Sequence, residues 1–264
     1  MSDPHLLVDR DGHVVTLTMN RPEARNAFGS EMLVRLADAW DLVDGDDEIR
    51  VAILTGAAGH FCAGSDLKAM AEGWADDAWS ARFKTEPDLH WKALLRSYRL
   101  KKPLVAAVEG TAVGGGTEIL QSTDIRIAGD SAKFGLTEAR WGLFPLGGST
   151  VRLRRQIPYT QAMEILLTGK TFSAAEALRI GLVGRVVAAG EALAEARRVA
   201  AQIAENGPLA VQAIKRSVQE SEGLPEREAL ERELAIGWPI LSTEDAKEGP
   251  RAFAEKRKPA FKAR

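Results

Sequence analysis

The chain has a single cysteine, Cys62, among its 264 residues, so no intramolecular disulfide braces it. A reducing, cytoplasmic setting is the expectation. No apolar run approaches the ~20 residues that a membrane helix requires. The start, MSDPHLLVDRDG, has no long apolar stretch behind a basic segment, so neither a span nor a secretory leader is expected. Surplus charge is missing too: 35 basic against 37 acidic residues leave a net charge of -2. Nothing global therefore draws the chain toward nucleic acid or an anionic membrane. The four histidines, His5, His13, His60 and His90, show no metal-ligand spacing, and no metal is expected.

Several catalytic signatures are also incomplete. Thr168-Gly169-Lys170-Thr171 resembles the end of a phosphate-binding P-loop but lacks the glycine that opens the motif. Gly147-Gly148-Ser149-Thr150-Val151 lacks the last glycine of a serine-hydrolase elbow, and Gly110 to Gly116 lacks the spacing of a dinucleotide fingerprint. Nucleophilic and hydride chemistry both lose support. His60 beside Cys62 reads as a loop neighbour, not as a catalytic dyad.

Glycine-rich turns leading into helices are abundant. Leu104 to Val108 is an apolar run, and Gly110-Thr111-Ala112-Val113-Gly114-Gly115-Gly116-Thr117-Glu118 follows it. This predicts strand, turn and helix start, with exposed N–H groups that favour an oxygen carrying negative charge. Glu118 would lie one turn into that helix. The same order occurs earlier: Val51 to Thr55 is β-branched, Gly59 to Asp66 forms a turn, and Leu67-Lys68-Ala69-Met70 is helix-like. Upstream, Val15, Leu17 and Met19 alternate like a half-buried strand, and with Leu6 to Val8 across Asp11-Gly12 they read as an opening hairpin. Leu33, Leu36, Ala37, Trp40 and Val43 recur at helical spacing behind a Ser30 cap.

Residues 72 to 99 carry Trp74, Trp79, Trp91 and Tyr98. They read either as a helix packing an apolar face or as part of an acyl pocket. Asp124 to Ala128 reads as a short strand, and Thr160 to Leu167 as a helix. Ser173-Ala174-Ala175-Glu176 is a capping box, closed downstream by Gly181. Residues 190 to 257 are almost continuously helical in pattern, broken at Gly207-Pro208, Gly223-Leu224-Pro225 and Gly249-Pro250. An α/β body over 1–189 followed by a helical region over 190–264 is the implied organisation.

The sequence resembles the enoyl-CoA hydratase (crotonase) family nearly end to end. The resemblance is carried by Asn20-Arg21-Pro22 with Arg25-Asn26-Ala27, by Phe61 to Leu67, and by Lys102-Pro103 through Glu118. Downstream it continues in Phe134 to Glu138, Gly147-Gly148, Leu167-Thr168-Gly169, Ala174 to Val187, Glu248-Gly249 and Ala252 to Arg257. It implies an α/β fold, a crotonase (ClpP-like) spiral of β-β-α units with a C-terminal helical oligomerisation region. It also implies homotrimers or hexamers, an acyl-CoA thioester substrate, and no cofactor beyond the coenzyme A that the substrate carries.

By that resemblance, the N–H groups of Ser65 and Gly115 form an oxyanion hole for the thioester carbonyl. Glu118 is the base that deprotonates water for attack at Cβ, and Glu138 is the acid that protonates Cα. Backbone around Ala24, Arg25, Ala63, Gly64, Asp66, Leu67 and Gly114 would hold the coenzyme A portion. Phe253 and Lys256 would meet its nucleotide across a subunit boundary. The implied reaction adds water across a 2-enoyl-CoA to give a 3-hydroxyacyl-CoA, in fatty-acid or steroid side-chain β-oxidation. The alternatives are an enoyl-CoA isomerase or another enolate enzyme of the family, and a non-catalytic acyl-CoA-binding member. Two departures from many relatives stand out: Leu146 where a glycine is common, and Thr117, whose hydroxyl is expected to bond back to its own helix.

Overall fold

The computed structural model describes residues 3–73 and 75–264, so the expectation for Trp74 falls outside the described residues. The chain opens with the hairpin its alternation predicts. β1 (Leu6–Asp11) and β2 (Val14–Met19) pair antiparallel across Gly12, whose φ of 56° suits glycine. Helix α1 (Ser30–Gly45) then buries Met32, Leu33, Leu36, Ala37, Trp40 and Val43 along one face. Gly29, not Ser30, occupies its N-cap, and no side chain caps that end.

β3 (Val51–Gly56) returns parallel to β2 and is buried through Thr55, as a strand covered on both faces must be. Three short helices follow: α2 (Leu67–Glu72), α3 (Ala78–Thr85) and α4 (Leu89–Ala93). β4 (Leu104–Val108) lies parallel to β3.

The glycine-rich stretch holds a strand that the sequence pattern does not show. β5 (Thr111–Val113) precedes α5 (Gly115–Leu120) and starts a second sheet. It pairs parallel with β7 (Lys133–Gly135), which pairs antiparallel with β8 (Thr171–Ser173). The larger sheet continues through β6 (Ile125–Gly129) to β9 (Arg185–Val187), giving the order β1-β2-β3-β4-β6-β9. Strands at 104–108 and 111–113 thus feed different sheets, and the turn at Gly110 joins them. A Cβ at Gly110 would lie 2.2 Å from the carbonyl oxygen of Gly59, so only glycine allows this approach.

Between the sheets' later strands lie α6 (Ser149–Gln156), α7 (Tyr159–Thr168) and α8 (Ala174–Arg179), the last capped by Ser173, whose Oγ accepts the Glu176 N–H at 3.2 Å. Helix α9 (Ala192–Ala204) packs Ala192, Ala196, Val199 and Ala200 against Val51, Ile53, Val105 and Ala107, covering one face of the large sheet. α10 (Pro208–Ser221), α11 (Glu226–Gly237) and α12 (Glu244–Ala254) complete the chain.

One expected break is absent: Gly249-Pro250 lies inside α12. The helix continues because Asp245, Glu248 and Ala252 are buried on it, and packing outweighs the single ladder bond proline cannot donate. The actual start is set by Thr243, whose Oγ accepts the Ala246 N–H. The last residues fold back. Asp245 accepts N–H bonds from Lys262 and Ala263, Glu248 accepts one from Ala260, and Arg50 donates to the Phe261 carbonyl. No helix among the described residues is long and apolar enough to cross a membrane.

Candidate active site

A cavity of about 740 Å3 opens where the two glycine turns meet. Its walls include Ala63, Ser65, Gly114, Gly115, Glu118 and Glu138. The turns are stitched together by Cys62 N–H donating to the Thr111 carbonyl and Val113 N–H donating to the Cys62 carbonyl, at 2.9 and 3.0 Å. Gly64 has a φ of 84°, and a Cβ there would lie 2.8 Å from the Val113 oxygen and 3.1 Å from the Gly115 nitrogen. Glycine is thus what brings the two turns into contact. Among the described residues, neither the Ser65 N–H nor the Gly115 N–H donates to a backbone acceptor. Both amides belong to residues that line the cavity, so both remain available to an incoming oxygen.

Glu118 enters from the first turn of α5 and is only 5% exposed. Burial raises its carboxyl above the usual range. The Gly147 and Ser149 N–H groups counteract this, the latter donating to Oε1 at 3.4 Å, and the Ser149 hydroxyl and the Arg152 charge act in the same direction. Gly147 leaves room for that carboxyl, since a Cβ there would lie 2.8 Å from Glu118 Cδ and Oε2. Glu138 opens a 3-10 turn, Glu138–Trp141, just after β7. Burial first, and then the charge of Glu118, push its carboxyl up to about 7. Its Oε2 is shut off from solvent and has no hydrogen-bond partner among the described residues. The two acids therefore sense each other and differ in environment, the condition for dividing acid and base roles.

The remaining sequence-derived positions divide into two groups. Ala24 closes a 3-10 turn, Arg25 follows with a φ of 49°, and the Arg25 carbonyl accepts the Ala63 N–H at 3.0 Å. This places that loop against the first glycine turn, with the Arg25 side chain exposed. Leu67 stands on the rim of the cavity, 42% exposed. Asp66 is occupied structurally: Arg21 donates to Oδ2 at 2.7 Å, while the Lys68 and Ala69 N–H groups donate to Oδ1, capping α2. Phe253 and Lys256 do not line the cavity. They stand at the end of α12, Phe253 86% exposed and Lys256 at a φ of 53°.

Of the aromatic segment, Trp91 lines the cavity, along with Phe83, His90 and Leu94. Trp79 instead lies under the Arg35 guanidinium, and the Tyr98 hydroxyl donates to Asp44. Thr117 departs from expectation: its hydroxyl donates to the Ala112 carbonyl at 2.6 Å and accepts the Gly135 N–H, tying α5 to the small sheet. Cys62 is buried, with its thiol pushed up to about 12 by burial, so it is a packing residue and not a thiolate nucleophile. Sequence reasoning missed Gln121 and Ser149, buried polar side chains behind Glu118. The available signal was a polar residue directly after the apolar pair Ile119-Leu120 that closes α5.

Two unoccupied amide donors, the buried Glu118 and the half-buried Glu138 around one cavity define a site for acid–base chemistry next to a polarised oxygen. Comparison with known proteins gives that class a lineage. The Enoyl-CoA hydratase/isomerase family matches residues 9–264, and the chain belongs to it. The enoyl-CoA hydratase EchA19 of Mycobacterium tuberculosis is 55% identical over 263 residues, covering 100% of this chain and 98% of that one. The 2,3-dehydroadipyl-CoA hydratase of Escherichia coli is 38% identical, covering 98% and 99%. A crystal structure of an enoyl-CoA hydratase from Mycobacterium tuberculosis H37Rv superposes with a TM-score of 0.90 at 40% identity, covering 99% of this chain and 100% of that one.

Proposed function

We propose that this protein is a hydro-lyase that adds water across the double bond of 2-enoyl-CoA thioesters to give 3-hydroxyacyl-CoA. The observation that carries this is the pairing of half-buried Glu138, whose Oε2 is sealed from solvent and unpartnered among the described residues, with Glu118 in the cavity that Ser65 and Gly115 also line. The thioester oxygen accepts the Ser65 and Gly115 N–H groups, which stabilise it as charge develops. In other enzymes one such donor is worth about 2.7–4 kcal/mol. Glu118, as carboxylate, takes a proton from water as the water oxygen bonds to Cβ. Glu138, as the neutral acid, gives its proton to Cα, and the thioester enolate collapses. A proton returned from Glu118 or solvent resets the pair.

Coenzyme A enters as part of the substrate, held along the Ala24–Arg25 and Ala63–Leu67 backbones and Gly114, and the reaction needs no further cofactor. Phe253 and Lys256 meet the nucleotide of a neighbouring subunit's substrate, which suits their exposure and their distance from their own cavity. That arrangement makes the protein a homotrimer or a pair of trimers. A cytoplasmic location accompanies this reading. Trp141, Phe144 and Leu146, exposed by 65%, 62% and 53%, join Leu67 and Met70 in an apolar rim that favours a bulky acyl group. A steroid side-chain thioester has that character.

Loss of enoyl absorbance on adding a 2-enoyl-CoA measures the reaction directly. Glu118→Gln and Glu138→Gln should each lower kcat by roughly 10²- to 10⁴-fold. Full rate in both variants would overturn the two-carboxylate mechanism. A kcat/KM comparison of short straight-chain and steroid enoyl-CoA decides the acyl class, and equal or better turnover of the short substrate removes the steroid assignment.

A further inference from the structure

Behind the Glu118 carboxyl lies a buried chain of polar groups that the acid–base pair alone does not require. Gln121, the residue that caps the C-terminal end of α5, is 4% exposed, and Ser149, first residue of α6, is 1% exposed. Gln121 Nε2 lies 2.7 Å from Ser149 Oγ and 3.4 Å from the Thr117 carbonyl oxygen. The Thr117 carbonyl can only accept, so the amide nitrogen, and not the amide oxygen, faces this corner. Ser149 Oγ therefore accepts from Gln121, and its own proton is free to point elsewhere. Glu118 meets the same residue: its Oε1 takes the Ser149 N–H, and the Ser149 hydroxyl also bears on its carboxyl. Arg152 fixes the frame from outside, donating to Ser122 Oγ and to the Leu95 and Arg96 carbonyls.

We infer that Gln121 and Ser149 are positioning residues: the Gln121 amide orients the Ser149 hydroxyl so that it donates to Glu118 and keeps that side chain a correctly aimed carboxylate. A buried carboxyl left alone would hold its proton and lose its function as a base. The relay supplies a donor that stabilises the charged form without placing a cation in the cavity. Gln121 Oε1 is buried and has no partner among the described residues, as expected if the amide is placed for what its nitrogen does and not for full satisfaction of its own groups.

The inference rests on Glu118 being the base, and the experiment separates the two claims. The pH dependence of kcat/KM is measured for the full-length protein, for Ser149→Ala, Ser149→Thr and Gln121→Met, and for Glu118→Gln. In Ser149→Ala the acidic limb should move upward by about one pH unit, corresponding to about 1.4 kcal/mol lost from the carboxylate form. Activity should fall about tenfold on that limb and recover at higher pH, with KM nearly unchanged. Ser149→Thr, which keeps the hydroxyl, should restore the limb. Gln121→Met, which keeps the volume and removes the donor, should shift it in the same direction. Loss of activity at every pH with an unmoved limb in Ser149→Ala and Gln121→Met would overturn the relay and leave only a structural role. An unimpaired Glu118→Gln would instead overturn the base assignment beneath it.

Discussion

Glu138 shows what one residue's surroundings do to stability. Its carboxyl is raised from 4.5 to about 7, mainly by burial. Below about pH 4.5 folded and unfolded chains both carry the proton, and no penalty arises. Between there and about pH 7 the unfolded chain releases it while the folded chain retains it, so stability falls as pH rises. Glu138→Gln should therefore be more stable than the parent at pH 8 by about 1–2 kcal/mol, after allowance for partial exposure, with the gap closing at pH 4. Urea denaturation at the two pH values measures this. Removing the charge of Glu118 should lower the Glu138 titration, and NMR titration of Glu138 in Glu118→Gln reads that shift directly. That both acids line one cavity was legible from their positions after glycine turns. The pairing of Gln121 with Ser149 was not, because it joins the end of α5 to the start of α6, a contact that no local pattern encodes.

At the scale of elements, the glycine turns determine how closely backbone and carboxylate approach. Gly147→Ala would place a Cβ 2.8 Å from the Glu118 carboxyl, the far end of a side chain that can move aside. The fold should survive, with a small change in Tm. The displaced carboxyl should lower kcat by up to about 10²-fold, as misplacements near 1 Å do. Gly116→Ala would place a Cβ 2.3 Å from the Cys62 carbonyl oxygen, where backbone must yield, and a large loss of stability is expected. The long periodic elements were readable: α1 from its apolar spacing and β2 from its alternation. β5 was not, being three residues long and set in a glycine-rich stretch. Its identity depends on β7, more than twenty residues away, offering the parallel edge. Pro250 misled for a related reason, since the burial of Asp245, Glu248 and Ala252 overrides what proline signals in isolation.

For the whole molecule, the C-terminal helices present a face that one chain leaves uncovered. Leu230, Leu234, Trp238 and Leu241 recur at helical spacing and are 56%, 60%, 67% and 66% exposed. A stripe of this kind needs a partner surface, and a second copy of the chain fits the proposed trimer. Sedimentation should find an oligomer, and Leu234→Glu combined with Trp238→Glu should give smaller species. The KM for enoyl-CoA should rise more than kcat falls if Phe253 and Lys256 serve a neighbour's nucleotide. Cys62 offers a different use of the same architecture. As the only thiol, sealed beneath the seam that joins the two turns, it is a built-in reporter. Its alkylation by a maleimide should proceed only as fast as that seam opens. Labelling with and without bound acyl-CoA would then time the breathing of the catalytic layer without any engineered probe.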